Sequence, residues 1–230
     1  MNVGTLFTKT ARTFPEGLAI AYGDYELTYQ QTNEWINKLA NALTSLGIKK
    51  GENVAILLHN CPEFIETLFA CFKAGIGTVP INFRLHPKEC SFIIDNSEAV
   101  AVVFGDGFRD SLYALKNEMP RVKNYICITN PLEGMLDYED LLKGQPPNFV
   151  DVDVERHDLA SLFYTSGTNG QPKGAMLTHH VLMMMTMNFF ADMTPLGPDD
   201  VILHAAPLSH GSGLYGIPNV AKGAANVILN

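Results

Sequence analysis

Tyr164-Thr165-Ser166-Gly167-Thr168-Asn169-Gly170-Gln171-Pro172-Lys173-Gly174 is a polar turn with three glycines, a run of hydroxyls and one lysine. It leaves an apolar run, Ser161–Tyr164, and leads toward an amphipathic one. Glycines let the backbone take positive φ and come close to a ligand. Successive free amides in such a turn make an anion-binding concavity. Thr165, Ser166 and Thr168 add hydroxyl donors, and Lys173 adds a full positive charge; each charge-assisted bond to a phosphate oxygen is worth ~1.5–3 kcal/mol. A Walker loop is excluded, because Pro172 stands where the second glycine of Gly-x4-Gly-Lys-Ser/Thr belongs. On spacing alone, a phosphate loop and an ordinary Gly- and Ser/Thr-rich turn between strand and helix both stay open.

Outward from the turn, strands and helices alternate. Ser161–Tyr164 reads as a strand, and a helix is predicted from about Thr178 to Phe190, followed by a strand at Val201–Ala205. A short helix near Leu214–Ala221 and a strand at Asn226–Leu229 complete that side. Toward the N-terminus, Ala19–Tyr22 and Glu26–Thr28 flank Gly23-Asp24 as a hairpin. Thr28 and Gln31 have capping-box spacing, and Trp35, Ile36, Leu39, Ala40, Leu43 and Leu46 then mark one helical face that Gly47 ends. Strands at Asn53–Leu58, Thr78–Ile81, Ala99–Phe104 and Tyr125–Ile128 alternate with helices at Pro62–Phe72, Pro87–Asp95 and Asp137–Lys143. Apolar strands separated by amphipathic helices give an α/β fold, with mainly parallel β-sheets flanked by helices. Gly144–Asp158 is polar and aperiodic, a connector that divides the chain into regions 1–150 and 151–230.

The totals exclude several classes. Of 230 residues, 47% are hydrophobic and 17% charged, enough apolar content for a substantial core. A net charge of −8 disfavours nucleic acid as a partner, so phosphate binding has to be local. Cys61, Cys71, Cys90 and Cys127 form no CxxC pair and read as buried thiols of a reducing compartment. The first residues have no signal-peptide core, and no run is apolar enough to span a bilayer, so a cytoplasmic location is expected.

The turn resembles the phosphate-binding loop of the adenylate-forming superfamily, usually Tyr-Thr-Ser-Gly-Thr-Thr-Gly-x-Pro-Lys-Gly. Asn169 alone departs, standing where the family usually has Thr. The resemblance extends to Leu6-Phe7 and Pro15-Glu16, Leu27-Thr28-Tyr29, Lys49 to Ala55, Val79-Pro80-Ile81-Asn82 and Asp158-Leu159-Ala160. It implies an acyl-CoA synthetase: a carboxylic acid attacks the α-phosphate of ATP, carried with Mg²⁺, to give an acyl-adenylate and pyrophosphate. The thiol of CoA then displaces AMP. Thr165, Ser166, Gly167, Thr168, Asn169, Gly170, Gln171, Pro172 and Lys173 would hold the nucleotide phosphates by positioning and electrostatics. Region 1–150 would be the N-terminal part of the family's large domain, and 151–230 the start of its ATP- and acyl-binding part.

A second segment, Pro207-Leu208-Ser209-His210-Gly211-Ser212-Gly213, resembles the family's Pro-Leu-x-His-x-x-Gly. By that match His210 would orient the substrate carboxylate or gate the thiol channel, and Gly213 would leave room beside the acyl group. Gly211-x-Gly213-x-x-Gly216 also fits a dinucleotide fingerprint. No Asp or Glu follows it to hold a ribose, and Pro207 and His210 separate it from the strand. Met183, Met184, Met185 and Met187 read as core filler before an acyl tunnel. His179-His180 cannot chelate one metal from adjacent helical positions, Asp151, Asp153 and Glu155 read as a solvated connector, and Arg84 reads as structural. The family's Tyr-Gly-x-Thr-Glu segment, ribose-binding Asp and C-terminal lysine are absent from the 230 residues. The sequence therefore reads as truncated, and inactive alone. An amino-acid-activating domain and a non-catalytic nucleotide-binding module are the alternatives; the acid is unspecified, and a homodimer stays open.

Overall fold

The structure, a computed structural model, describes residues 1–149, 151–165 and 172–229. Its first elements are α1 (Thr5–Thr13), β1 (Leu18–Tyr22), β2 (Tyr25–Thr28), α2 (Tyr29–Ser45), β3 (Asn53–Leu57), α3 (Pro62–Ala74) and β4 (Gly77–Pro80). α4 (Pro87–Asn96), β5 (Ala99–Phe104), α5 (Arg109–Ala114), β6 (Asn124–Cys127), β7 (Leu136–Asp137) and α6 (Tyr138–Leu142) follow. After the connector come β8 (Leu159–Thr165), β9 (Lys173–Thr178), α7 (His179–Asp192), β10 (Val201–His204), α8 (Gly211–Lys222) and β11 (Ala225–Ile228).

Two sheets result, a larger one in the order β7-β6-β5-β3-β4-β8-β9 and a smaller one in the order β10-β11-β1-β2. Their pairings are parallel except in the two hairpins, β1–β2 and β8–β9. β3 and β5 are almost wholly buried. That requires near-continuous apolar sequence, and Ala99–Phe104 supplies it. Both sheets take strands from each side of the 144–158 connector.

Local chemistry fixes the helices. The Thr28 hydroxyl accepts from the Gln31 amide at 3.2 Å, and the Gln31 side chain accepts from the Thr28 amide at 2.9 Å. This capping box starts α2 and satisfies amides that have no intrahelical partner. Gly47, at φ 83°, ends the helix in the left-handed region where glycine has no steric cost. α3 is buried on nearly every side, its Ile65 and Leu68 facing Leu208 and Asn226 across a small void. A helix apolar all round belongs in the centre of a core.

Lys73, near the end of α3, has no exposed surface. Its ammonium donates to the Oδ1 atoms of Asn33 at 2.6 Å and Asn37 at 2.8 Å, with Asp151 4.0 Å away. Burial pulls its pKa down to about 8. Its carbonyl accepts from the Asn2 side chain and the Val152 amide, which ties the N-terminus and the connector to α3. The connector is held elsewhere too. Asn37 and Asn41 donate to the carbonyls of Pro146, Pro147 and Asn148. Asp151 accepts from the Thr8 hydroxyl at 3.0 Å, and Asp158 pairs with Lys50 at 2.8 Å. Asp151 and Asp158 are therefore anchors rather than a free solvated run.

One expected connection differs. The polar turn does not pass from strand to helix: Lys173–Thr178 runs back along β8 as β9, Thr165 opposite Lys173 and Tyr164 opposite Gly174. β9 is the sheet's edge and largely exposed, so its sequence lacks the period-2 alternation of a half-buried strand. Lysine on an exposed edge also discourages further pairing. α7 begins at His179 behind the Thr178 cap, whose hydroxyl accepts from the Val181 amide.

Candidate functional site

The C-terminal ends of parallel strands are where open α/β sheets hold ligands. At the ends of β4 and β8 lies a cavity of about 440 Å³. Pro80 and Asn82 enter it from β4, Glu89 and Ile93 from α4, and Phe163, Tyr164 and Thr165 from β8. Pro172, at the start of β9's arm, and Ser209 and His210, before α8, close the ring. Two segments far apart in sequence, both singled out by the family resemblance, thus meet at one cavity.

Of the expected phosphate-loop residues, Ser166, Gly167, Thr168, Asn169, Gly170 and Gln171 lie outside the described residues. Thr165 is exposed and lines the cavity, as does Pro172. Lys173 is exposed at the head of β9 and makes no ion pair among the described residues. Gly174 has a packing reason, since a Cβ there would stand 3.0 Å from the Tyr164 ring. That ring carries a hydroxyl donating to Asn96 at 2.7 Å, which anchors the end of β8 to α4, and burial raises its pKa.

His210 occupies the N-cap position of α8. Its Nδ1 sits 3.0 Å from the Ser209 carbonyl, and its ring lies 6.3 Å from that of Phe163. Nε2 has no partner among the described residues. The amides of the first turn of α8 follow directly, placing the positive end of a helix dipole at this rim. Ser209 is 3% exposed, yet its hydroxyl has no hydrogen-bond partner among the described residues. A buried hydroxyl without a partner is costly, and this oxygen has almost no accessible surface.

Three features were not visible in the sequence. Glu89 and Phe163 reach the lining only through tertiary packing. His204, at the end of β10, bridges Ser212 Oγ at 2.8 Å and Asn226 Oδ1 at 3.0 Å, and burial lowers its pKa. That bridge ties the first turn of α8 to β10 and β11, so it sets where His210 stands. Gly213 differs from expectation: a Cβ there would overlap the Leu208 carbonyl oxygen. The space it leaves is filled by backbone, and Gly213 is absent from the described lining of the large cavity.

Other candidates resolve into structure. His179 is buried, accepts from the Val3 amide at 3.2 Å, and is pulled down to about 4 by burial. His180 instead lies 2.8 Å from the Arg156 guanidinium. Met183 is buried, Met184 and Met187 are exposed, and none lines the cavity. Among the described residues no helix is long and apolar enough to cross a membrane.

The sequence profile of the AMP-binding enzymes matches residues 7–230. A feruloyl-CoA synthase of Amycolatopsis sp. is 35% identical over 232 residues, covering 100% of this chain and 44% of its own length. A crotonobetaine/carnitine–CoA ligase of Escherichia coli O6:K15:H31 is 34% identical, over 80% of this chain and 36% of the ligase. Among solved structures, an anthranilate CoA ligase in complex with anthranoyl-AMP superposes with a TM-score of 0.94 at 26% identity. That match covers 99% of this chain and 45% of the ligase. The inhibitor-bound N-terminal domain of FACL13 from Mycobacterium tuberculosis gives a TM-score of 0.89 at 27% identity, covering 98% of this chain and 56% of that one. The chain thus spans less than half the length of the curated relatives it matches.

Proposed function

The chain belongs to the family of AMP-binding enzymes, and on that premise we propose that it forms the front part of an ATP-dependent acid–thiol ligase. In the first step a carboxylate oxygen of the acid forms a bond to the α-phosphorus of ATP, and the bond to the bridging oxygen breaks. Pyrophosphate leaves with that electron pair. In the second, the sulfur of CoA attacks the acyl carbonyl, its proton is lost, and AMP departs to leave the thioester. The coenzyme A ligases among the relatives support the thiol acceptor.

The observation that carries this reading is the single cavity shared by Thr165, Pro172 and His210. A triphosphate bound beside Thr165 and Pro172 would share its cavity with His210. Lys173 supplies charge to the leaving pyrophosphate, an electrostatic contribution aimed at charge that develops during the reaction. His210, whose Nδ1–H donates to the Ser209 carbonyl, holds the carboxylate through Nε2–H as the imidazolium. Phe163, Ile93 and Pro80 give the lining an apolar share suited to a fatty or aromatic acid. Mg²⁺ accompanies ATP as its counter-ion. Glu89 is the acid among the described lining residues, and its Oε2 accepts from the His86 amide at 2.9 Å. A cytoplasmic location is part of the reading and is supported by four buried free thiols.

The test is Lys173→Ala in the full-length parent. ATP–pyrophosphate exchange should fall roughly ten- to a hundredfold, the loss of one charge-assisted phosphate contact. Unfolding should stay within about 0.5 kcal/mol of the parent, because Lys173 is an exposed side chain. Equal loss of exchange and stability would make the lysine structural and remove this reading. The 230 residues alone are expected to show no exchange, and a normal rate from them would overturn that part.

A further inference from the structure

Between β3 and α3 the chain passes through Asn60, a half-buried residue whose side chain reaches a segment 148 residues later. Its Nδ2 donates to the His204 carbonyl at 3.3 Å and to the Ala206 carbonyl at 3.1 Å. Its Oδ1 accepts from the Leu208 amide at 2.8 Å. Nitrogen and oxygen of the carboxamide are thus both engaged, and two carbonyls facing one N–H facing fix which way round it lies.

The loop held in this way carries His210. His204 ends β10, and residues 205–209 lead from it to the N-cap of α8. Leu208 is buried, so without Asn60 its N–H would be left unpaired, at the cost of a buried orphan donor. The other bonds at His210 stay within the loop and the start of α8. The His210 amide donates to the Pro207 carbonyl at 3.0 Å, the Gly213 amide to the His210 carbonyl at 3.1 Å, and the His210 ring to Ser209. Asn60 alone among these groups comes from a different sheet. β3 lies in the larger one with β8 and β9, the hairpin that brings Thr165 and Pro172 to the cavity, whereas β10 lies in the smaller one. The ring contact between His210 and Phe163, at 6.3 Å, is near the outer limit of aromatic pairing and orients the imidazole weakly.

We propose that Asn60 is a positioning residue for the acid: by fixing residues 204–208 across the join between the two sheets, it sets the direction in which His210 meets the carboxylate. The step it serves rests on the ligase reading; the choice of residue rests on the three hydrogen bonds. Asn60 is absent from the described lining of the 440 Å³ cavity, so it acts through the backbone. Other side chains lose part of the pattern. Aspartate keeps the acceptor for Leu208 but sets a carboxylate oxygen against two carbonyls, glutamine carries the amide one methylene further, and serine has a single donor.

Two readouts test it. In the 230-residue protein, amide hydrogen exchange of Asn60→Ala should quicken about tenfold at Leu208 and His210, the loss of one net hydrogen bond, and stay within about twofold along β8 and β9. In the full-length parent, ATP–pyrophosphate exchange should show a KM for the acid raised about tenfold and a KM for ATP within about twofold of the unaltered protein. The split follows because Asn60 holds His204, Ala206 and Leu208 but neither Thr165 nor Pro172. A residue that only supports the fold would move both constants or neither. Asn60→Asp, of nearly the same volume, reads the same split should Asn60→Ala fail to fold. Unaltered hydrogen exchange at Leu208 in Asn60→Ala, or an acid KM that moves no more than the ATP KM, would overturn the proposal. A parent without any ATP–pyrophosphate exchange, with Leu208 deprotected all the same, would remove the ligase reading and leave the clamp.

Discussion

Replacing Gly213 by alanine sets two physical effects against each other. Gly213 sits in the first turn of α8, where alanine's better helix propensity offers at most ~0.8–1 kcal/mol. The added methyl, however, would overlap the Leu208 carbonyl oxygen, and its next contacts are also Leu208 backbone atoms. Backbone cannot rotate out of the way as a side chain can, so the cost falls at the upper end of the ~1–3 kcal/mol typical of overpacking. The net result is a destabilisation of about 2 kcal/mol, a drop of roughly 4–8 °C in melting temperature for a chain of this size. Thermal unfolding followed by circular dichroism measures it directly. Relief of the overlap would push the turn at Leu208–His210 away from α8, so in the full-length parent His210 should lose its alignment and the exchange rate should fall with the stability. A variant melting higher than the parent, or one with unchanged stability and altered acid preference, would refute the reasoning. The second outcome would mean that the glycine makes space for substrate after all.

Two buried charges carry further expectations. Lys73 is held at about 8 against an ordinary 10.5. The folded protein therefore binds fewer protons than the unfolded one between those values, and stability from this group should rise as pH goes from 8 toward 10.5. Comparing urea midpoints of the parent and Lys73→Met at pH 7 and pH 9.5 checks it, since the variant should lack that rise. Glu66 is shifted the other way, to about 7 from 4.5. Its contribution is fully present below pH 4.5 and is lost as pH climbs through 7, so Glu66→Gln should flatten that fall in stability. An unchanged slope in the variant would assign the pH dependence to other groups.

Much of the frame was legible because local signals agreed with the global packing. Thr28 and Gln31 announce the start of α2, and the unbroken apolar run Ala99–Phe104 could only be a strand buried on both faces. β9 was not legible: Lys-Gly-Ala-Met-Leu-Thr has neither alternation nor β-branched weight until its last residue, and it is a strand because β8 pairs with it. Lys73 was hidden for another reason. A lysine at the end of an apolar helix normally reaches water, and its burial depends on Asn33 and Asn37, about forty residues earlier. The candidate site divides likewise. Thr165, Pro172 and His210 were found from motifs, while Ser209 stood inside a quoted motif without a role. His204 depends on partners eight and twenty-two positions away, which no local pattern links.

The smaller sheet has a bearing on how the protein is made. β1 lies between β2 and β11, with Ile20 opposite Asn226. A ribosome adding ~5–20 residues per second reaches the second of those residues roughly 10–40 s after the first. Through that interval one edge of β1 waits unpaired, while β3, β4, β5 and β6, closely spaced in the chain, can already assemble. That edge of β1 must therefore be kept from foreign strands until β11 emerges.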